Sequence, residues 1–126
     1  MKKNPKELRV LIAEDDVDIR SALCELIKSL GVEVSEADSG GALIILLTDD
    51  KPVDLIITDV RMPWMSGLQV SLSARNAGLV MPIIVVTAFA DDRLREQVEH
   101  LGSATLLSKP FNPEEILSLA RALLLL

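Results

Sequence analysis

Five short apolar runs alternate with segments of helical periodicity along this chain of 126 residues, and this alternation limits its fold more than any other feature. The clearest run is Ile83–Thr87, where four β-branched apolar residues stand in succession. Such a run is typical of a strand covered on both faces of a sheet. Comparable runs predict four further strands, over residues 8–13, 32–37, 54–58 and 104–108.

Between these runs, apolar residues recur at spacings of three and four, as they do on one face of a helix. Ser39 and Pro113 are typical of helix starts, and Gly31 and Gly78 of helix ends. The pattern predicts five helices, over residues 19–30, 40–50, 66–77, 91–101 and 113–126. Five strand–helix units in succession imply one α/β domain over residues 1–126, in which a parallel sheet carries helices on both faces.

Composition excludes several kinds of partner and compartment. A net charge of −6 argues against a broad basic face for nucleic acid, because such binding depends on cations that neutralise phosphates. The longest uncharged stretch, residues 76–90, contains Gly78 and Pro82 and is too short to span a bilayer as a helix. No apolar run of signal-peptide length follows the amino terminus, and the lone Cys24 excludes an internal disulfide. We therefore expect a cytoplasmic protein with no membrane partner.

Polar side chains accompany the ends of four predicted strands. Glu14 and Asp15 follow the first strand, Asp59 follows the third, Thr87 ends the fourth, and Lys109 follows the fifth. Because ligands of parallel α/β sheets bind beyond the carboxyl ends of the strands, we expect these side chains to converge. The gathered carboxylates would repel one another. Mg²⁺ would offset that repulsion and shield a carboxylate nucleophile from an anionic phosphoryl group.

Four motifs at these strand ends resemble the receiver domain of two-component response regulators. They are EDD at 14–16, DLIITDVRMPWMSG at 54–67, VVTA at 85–88 and SKPF at 108–111. The resemblance covers nearly the whole chain, with the motifs in the family's order. It implies a flavodoxin-like, doubly wound (βα)5 fold, a three-layer sandwich whose five-stranded parallel sheet has the strand order 2-1-3-4-5.

The same resemblance implies a role for each polar residue at the strand ends. Asp59 looks like the phosphoacceptor, and Thr87 looks like the hydroxyl that hydrogen-bonds the phosphoryl group and moves on activation. Lys109 resembles the lysine that pairs with Asp59 before phosphorylation and with the phosphoryl group afterwards. The family's peptide bond between Lys109 and Pro110 is cis.

The ligands of Mg²⁺ and the partners also follow from the resemblance. Asp15 looks like a direct ligand and Glu14 like one that acts through water, while Asp59 and the backbone carbonyl of Arg61 would complete the set. A sensor histidine kinase or a histidine phosphotransfer domain would donate the phosphoryl group. A downstream target protein or a fused output domain would bind the switched surface, chiefly the helix over 91–101. The domain itself would neither contact nucleic acid nor act as a dedicated enzyme.

Some positions depart from the usual family pattern. Leu106 stands where many receivers carry an aromatic switch residue. Arg61 and Phe89 lie at positions that flank the phosphoryl group, so we expect them to alter the lifetime of the acyl phosphate. All three aromatic residues of the chain, Trp64, Phe89 and Phe111, are expected to border the site.

Other interpretations lead to other functions or to purely structural roles. An aspartyl-phosphate hydrolase of the haloacid dehalogenase type would need an aspartate in place of Arg61, and a histidine phosphotransfer domain would be all helical. A degenerate receiver would act only as a protein-interaction module. Structural roles are expected for Asp16 as a helix cap, for His100 as a solvated group at a helix end, and for Cys24 in the core. The four leucines over 123–126 predict either a longer natural chain or self-association as a homodimer.

Overall fold

The structure is a computed structural model, and it describes residues 4–126. Five strands alternate with five α-helices, after a short 3₁₀ helix at Pro5–Glu7 that the sequence pattern does not predict. The strands are β1 (Arg9–Ala13), β2 (Glu33–Ala37), β3 (Leu55–Asp59), β4 (Ile83–Thr87) and β5 (Ala104–Ser108). The helices are α1 (Val17–Lys28), α2 (Gly40–Leu47), α3 (Gly67–Asn76), α4 (Asp92–Leu101) and α5 (Pro113–Leu123).

The five strands form one parallel sheet of order β2-β1-β3-β4-β5. This confirms the α/β class and the strand order that the family resemblance implies. The inner strands β1, β3 and β4 are buried at every position, as expected for parallel strands with helices on both faces. The outer strands β2 and β5 are only partly covered.

Helices pack on both faces of the sheet and build two apolar layers. Val10 and Ile12 of β1 contact one layer and Leu11 contacts the other, because successive side chains of a strand point to opposite faces. The first layer contains Ile27 of α1 and Ile116 of α5, both fully buried. The second layer is supplied by α2, α3 and α4. Polar side chains gather instead at the ends of the strands.

The start of α1 lies directly behind the acidic loop that follows β1. The Asp16 carboxylate accepts hydrogen bonds from the backbone nitrogens of Asp18 and Ile19, at 2.9 and 3.0 Å. These bonds satisfy two of the backbone donors that a helix leaves free at its amino terminus. The capping role predicted for Asp16 is confirmed.

Several predicted boundaries differ from the observed ones by a few residues. Strands β1 and β2 each begin one residue later than predicted, and α1 begins and ends two residues earlier. The difference that matters most is in β3, which runs through Asp59 instead of stopping at 58. Backbone pairing of Asp59 with Val86 in β4 keeps it in the sheet. The candidate phosphoacceptor is therefore held by the strand ladder.

Helices α2 and α5 each end three residues earlier than the apolar pattern predicts. α2 ends at Leu47 instead of residue 50, because the Thr48 hydroxyl donates to the Ile45 carbonyl at 2.9 Å and closes the last turn. α5 ends at Leu123, and Leu125 has a φ of 59°, which no α-helix continues. The final leucines accordingly lie partly beyond the helix.

Two residues have the structural roles expected of them. Cys24 is buried in the first apolar layer. His100 is exposed in the last turn of α4, where its ring nitrogen Nδ1 lies 2.8 Å from the Glu96 carbonyl oxygen. Among residues 4–126, no helix has the length and apolar character needed to cross a membrane.

Candidate functional site

The carboxyl ends of β1, β3 and β5 bring three charged side chains into contact. The Lys109 ammonium lies 3.1 Å from Asp59 Oδ2 and donates a second, shorter hydrogen bond to Glu14 Oε1. Glu14 is 1% exposed and Asp59 is 9% exposed. The convergence that the strand-end positions predict is thus observed for these three residues. The bond between Lys109 and Pro110 is cis, as the resemblance implies.

A cluster of three carboxylates lies at this edge of the sheet. Ligand oxygens of Glu14, Asp15 and Asp59 all lie within 4.8 Å of one another, and Asp15 is exposed while the other two are buried. Mg²⁺ prefers oxygen ligands, takes one or two carboxylates, and keeps several of its waters. Asp15 and Asp59 could bind such an ion directly and Glu14 through one of its waters, while the exposed side of the cluster leaves room for a phosphate oxygen.

The electrostatics of the cluster are set by burial and by mutual contact. Burial and the neighbouring Asp59 carboxylate together raise the pKa of Glu14 to about 7, although the Lys109 ammonium lowers it. Partial burial lowers the pKa of Lys109, but its hydrogen bonds to Glu14 and Asp59 outweigh this effect, and the net shift is upward. Lys109 therefore stays a cation and offsets the repulsion between the carboxylates.

Thr87 is buried at the end of β4, but its hydroxyl is engaged elsewhere. Thr87 Oγ1 accepts a hydrogen bond from the Phe89 backbone nitrogen and donates one to the Phe89 carbonyl, each at 3.2 Å. Within residues 4–126, no hydrogen bond joins this hydroxyl to Asp59 or Lys109. The structure thus places Thr87 at the site, with its hydroxyl turned toward the loop that leads into α4.

These side chains surround a cleft of about 350 Å³. Its lining combines carboxylates, one ammonium and apolar groups: Glu14, Asp15, Asp16, Ile19, Asp59, Arg61, Thr87, Ala88, Phe89 and Lys109. A second groove of about 460 Å³ shares Asp15 and Arg61 with the first. Among the carboxylates that line this cleft, Asp15 is exposed and Asp59 is 9% exposed.

Two glycines allow the loop after β3 to pack closely. A Cβ on Gly67 would lie 2.0 Å from the Asp59 carbonyl oxygen and 2.4 Å from Thr58 Oγ1. A Cβ on Gly40, at the start of α2, would lie 1.9 Å from the Met65 carbonyl oxygen. Sequence reasoning used Gly67 as part of a motif but missed Gly40. The loop that carries Arg61 is thus braced against α2 by backbone contact.

The aromatic residues do not share one environment. Phe89 lines the cleft, as predicted. Phe111 is half-buried and packs against the layer beneath α1 and α5. Trp64 is 94% exposed, with a φ of 74°, on the loop after β3. The expectation that all three border the site is therefore confirmed for Phe89, whereas Trp64 and Phe111 are not among the residues that line the cleft. Leu106, at the expected aromatic position, is half-buried against the second layer.

Comparisons with known proteins agree with this geometry. A family model described as the response regulator receiver domain matches residues 10–121. The chain is 36% identical over 120 residues to the transcriptional regulatory protein FixJ of Azorhizobium caulinodans, and this alignment covers 94% of this chain and 56% of FixJ. It is 37% identical over 119 residues to the response regulator MprA of Mycolicibacterium vanbaalenii, with 93% and 50% covered. The chain spans about half the length of these relatives.

A solved structure gives the same result in three dimensions. The crystal structure of a response regulator receiver protein from Pseudomonas putida is 33% identical and aligns with a TM-score of 0.82. The alignment covers 91% of this chain and 96% of that one. Sequence, fold and the acidic cluster point the same way, and the chain belongs to the response regulator receiver domain family.

Proposed function

We propose that this chain accepts a phosphoryl group on Asp59 as the receiver of a two-component system. One observation carries the proposal: the Asp59 carboxylate lies at the open cleft, 3.1 Å from the Lys109 ammonium, in a cluster with Glu14 and Asp15. A nucleophilic carboxylate, a cation for the phosphoryl oxygens and a group of metal ligands are what phosphoryl transfer to aspartate requires.

The donor is phosphohistidine of a sensor histidine kinase or of a histidine phosphotransfer domain. An Asp59 carboxylate oxygen attacks phosphorus, the P–N bond breaks, and the histidine nitrogen keeps its electron pair. The product is an acyl phosphate on Asp59. Lys109 then exchanges its contact with the Asp59 carboxylate for one with a phosphoryl oxygen. The domain takes part in its own modification and is no dedicated enzyme.

Glu14, Asp15 and Asp59, with the backbone carbonyl of Arg61, would hold Mg²⁺ at this site. The ion would neutralise charge on the transferring phosphoryl oxygens when it is bound. Arg61 and Phe89 line the same cleft as Asp59, so their charge and bulk would affect the access of a hydrolytic water. We infer that they alter the lifetime of the acyl phosphate.

Phosphorylation is read out through Thr87. When the phosphoryl group draws the hydroxyl away from Phe89, the loop between β4 and α4 loses two hydrogen bonds. α4 begins at Asp92, directly after this loop. The populations of the conformations of α4 would then shift, and the α4 surface in its new conformation would bind a downstream target or a fused output domain. We infer that this domain, residues 1–126, acts in the cytoplasm. It would act as a monomer or as a homodimer, and it would make no direct contact with nucleic acid.

The alternatives have less support. A hydrolase of the haloacid dehalogenase type would need a second carboxylate where the chain has Arg61. A degenerate receiver would lack part of the site, whereas the carboxylates, the lysine and the threonine all line one cleft. The strands exclude a helical phosphotransfer domain.

Labelling with ³²P-acetyl phosphate in the presence of Mg²⁺ tests the proposal. Wild-type protein should take up label, and Asp59→Asn should take up none, because an amide is no nucleophile for phosphorus. Asp38→Asn is the matched control, since Asp38 is an exposed carboxylate just after β2. It should label as the wild type does. Label that persists in Asp59→Asn would exclude Asp59 as the phosphoacceptor.

A further inference from the structure

Arg20, the fourth residue of α1, reaches back over the loop that follows β1. Its Nη1 donates to the Glu14 carbonyl oxygen at 2.7 Å. Its Nε lies 3.3 Å from Glu36 Oε1, at the end of β2. The Arg20 side chain is only 17% exposed. One guanidinium therefore joins α1, the acidic loop and the neighbouring strand.

The contact falls on a residue whose other groups are already fixed. The Glu14 backbone nitrogen donates to the Ala37 carbonyl at 3.0 Å. Its carboxylate accepts hydrogen bonds from the Asp15 backbone nitrogen, at 3.0 Å, and from Lys109. Arg20 binds the one remaining polar group, the carbonyl. The backbone between Glu14 and Asp15 is thereby held from the strand side and from the helix side.

We infer that Arg20 is a positioning residue for the carboxylate cluster: by holding the Glu14 carbonyl, it sets the direction in which Glu14 and Asp15 present their oxygens toward Asp59. The inference rests on the proposed function in that the cluster is taken to hold Mg²⁺. When residues that orient metal ligands through hydrogen bonds are removed, the affinity for the metal commonly falls by about 10–100-fold. Arg20 contacts no ligand oxygen itself and acts through the Glu14 backbone.

Positioning and simple charge predict opposite results. Arg20 is a cation near a cation site, so its charge alone opposes Mg²⁺, and its removal would tighten binding. Pairing with Glu36 already offsets part of that charge. If Arg20 acts by fixing the loop, its removal lets the carboxylates spread and binding weakens. The sign of the change therefore separates the two accounts.

Isothermal titration with Mg²⁺ alone measures that sign. Arg20→Gln should raise the Kd about tenfold or more. Arg95→Gln is the control with the same change in charge, because Arg95 is exposed on α4 and pairs with Asp92. Its Kd should stay at the wild-type value. A Kd for Arg20→Gln that is unchanged or lower than that of the wild type would overturn the inference.

Urea unfolding of the same variants separates positioning from stability. If Arg20→Gln unfolds at lower urea but binds Mg²⁺ as the wild type does, Arg20 is only structural and the inference is wrong. If Arg20→Gln does not fold, Arg20→Lys decides, because a lysine ammonium cannot reproduce the planar fork of arginine. Its Kd should rise, and a wild-type Kd would contradict the inference. Labelling of Asp59 is scored separately, so its failure would reject the proposed function without deciding the role of Arg20.

Discussion

The Thr87 hydroxyl lies 3.2 Å from both the backbone nitrogen and the carbonyl oxygen of Phe89, so it accepts a hydrogen bond from Phe89 and donates its one proton to the same residue. A hydroxyl has a single proton to donate. Before Thr87 can donate to a phosphoryl group on Asp59, it must therefore release the Phe89 carbonyl. If phosphorylation of Asp59 draws this hydroxyl away from Phe89, the exchange would link the site to the loop that enters α4 without an aromatic residue at position 106.

Thr87→Ala is expected to leave Asp59 able to accept a phosphoryl group but to uncouple α4 from it. The methyl side chain can neither hold Phe89 nor bind the phosphoryl oxygens. ¹⁵N chemical shifts of α4, recorded with and without beryllofluoride and Mg²⁺, measure the coupling. Thr87→Ser keeps the hydroxyl and should respond as the wild type does. Equal α4 shifts in Thr87→Ala and wild type would show that the signal takes another route.

Mg²⁺ affinity should depend on pH through Glu14. Burial and the neighbouring Asp59 carboxylate raise the pKa of Glu14 to about 7, so a Mg²⁺ ion held by Glu14 would have to displace a proton below that pH. The Kd for Mg²⁺ is expected to rise by up to about tenfold for each pH unit below 7, and to level off above it. Calorimetric titration across this range measures the slope. Glu14→Gln should bind more weakly, without the slope, and a Kd of the wild type that is independent of pH would contradict the assignment.

The same shift predicts how the metal-free protein depends on pH. Between the usual value of 4.5 and about 7, the native state keeps a proton on Glu14 that the unfolded chain has lost. Unfolding then releases a proton, so the free energy of unfolding contributed by this group falls as pH rises through that interval. Urea unfolding of wild type and Glu14→Gln without Mg²⁺ gives the difference. A contribution that rises with pH would have the wrong sign.

Gly40 and Gly41 are adjacent at the start of α2 but should respond oppositely to alanine. A Cβ on Gly40 would lie 1.9 Å from the Met65 carbonyl oxygen, whereas a Cβ on Gly41 meets nothing closer than Ser39 Oγ at 4.0 Å. We expect Gly40→Ala to lower the free energy of unfolding by about 1–3 kcal/mol through overpacking. Gly41→Ala should raise it by about 0.5–1 kcal/mol. The urea midpoints of the two variants measure both effects. Equal midpoints would show that the loop after β3 moves away from the new Cβ at position 40 at no cost in stability.

The parts of the fold that could be predicted from sequence are those set by local pattern. The sequence predicts β4 and β5 with their observed bounds, Ile83–Thr87 and Ala104–Ser108. Each is a short, mostly apolar run between turn residues, and such a run is typical of a strand in a parallel sheet. The end of α2 was missed, since its apolar residues continue the helical pattern while Thr48 closes the last turn. Propensity alone does not decide such side-chain to backbone bonds.

The same division holds for the site. The proximity of Glu14, Asp59 and Lys109 could be predicted from the sequence, because the carboxyl ends of parallel strands lie at one edge of the sheet. The direction of the Thr87 hydroxyl could not, since it depends on a rotamer and on the turn at Phe89. The contact of Arg20 with Glu14 was missed because it depends on the tertiary position of α1 beside the loop that follows β1.

The most direct test of the proposed phosphoacceptor identifies the residue that carries the phosphoryl group. Borohydride reduces an acyl phosphate to an alcohol, and it would convert a phosphorylated Asp59 to homoserine. Protein treated with acetyl phosphate and Mg²⁺, then reduced and digested, can be mapped by mass spectrometry. If Asp59 is the phosphoacceptor, homoserine appears at position 59 and the side chains of Glu14 and Asp15 stay unmodified. Modification at either of those carboxylates, or none at position 59, would contradict it.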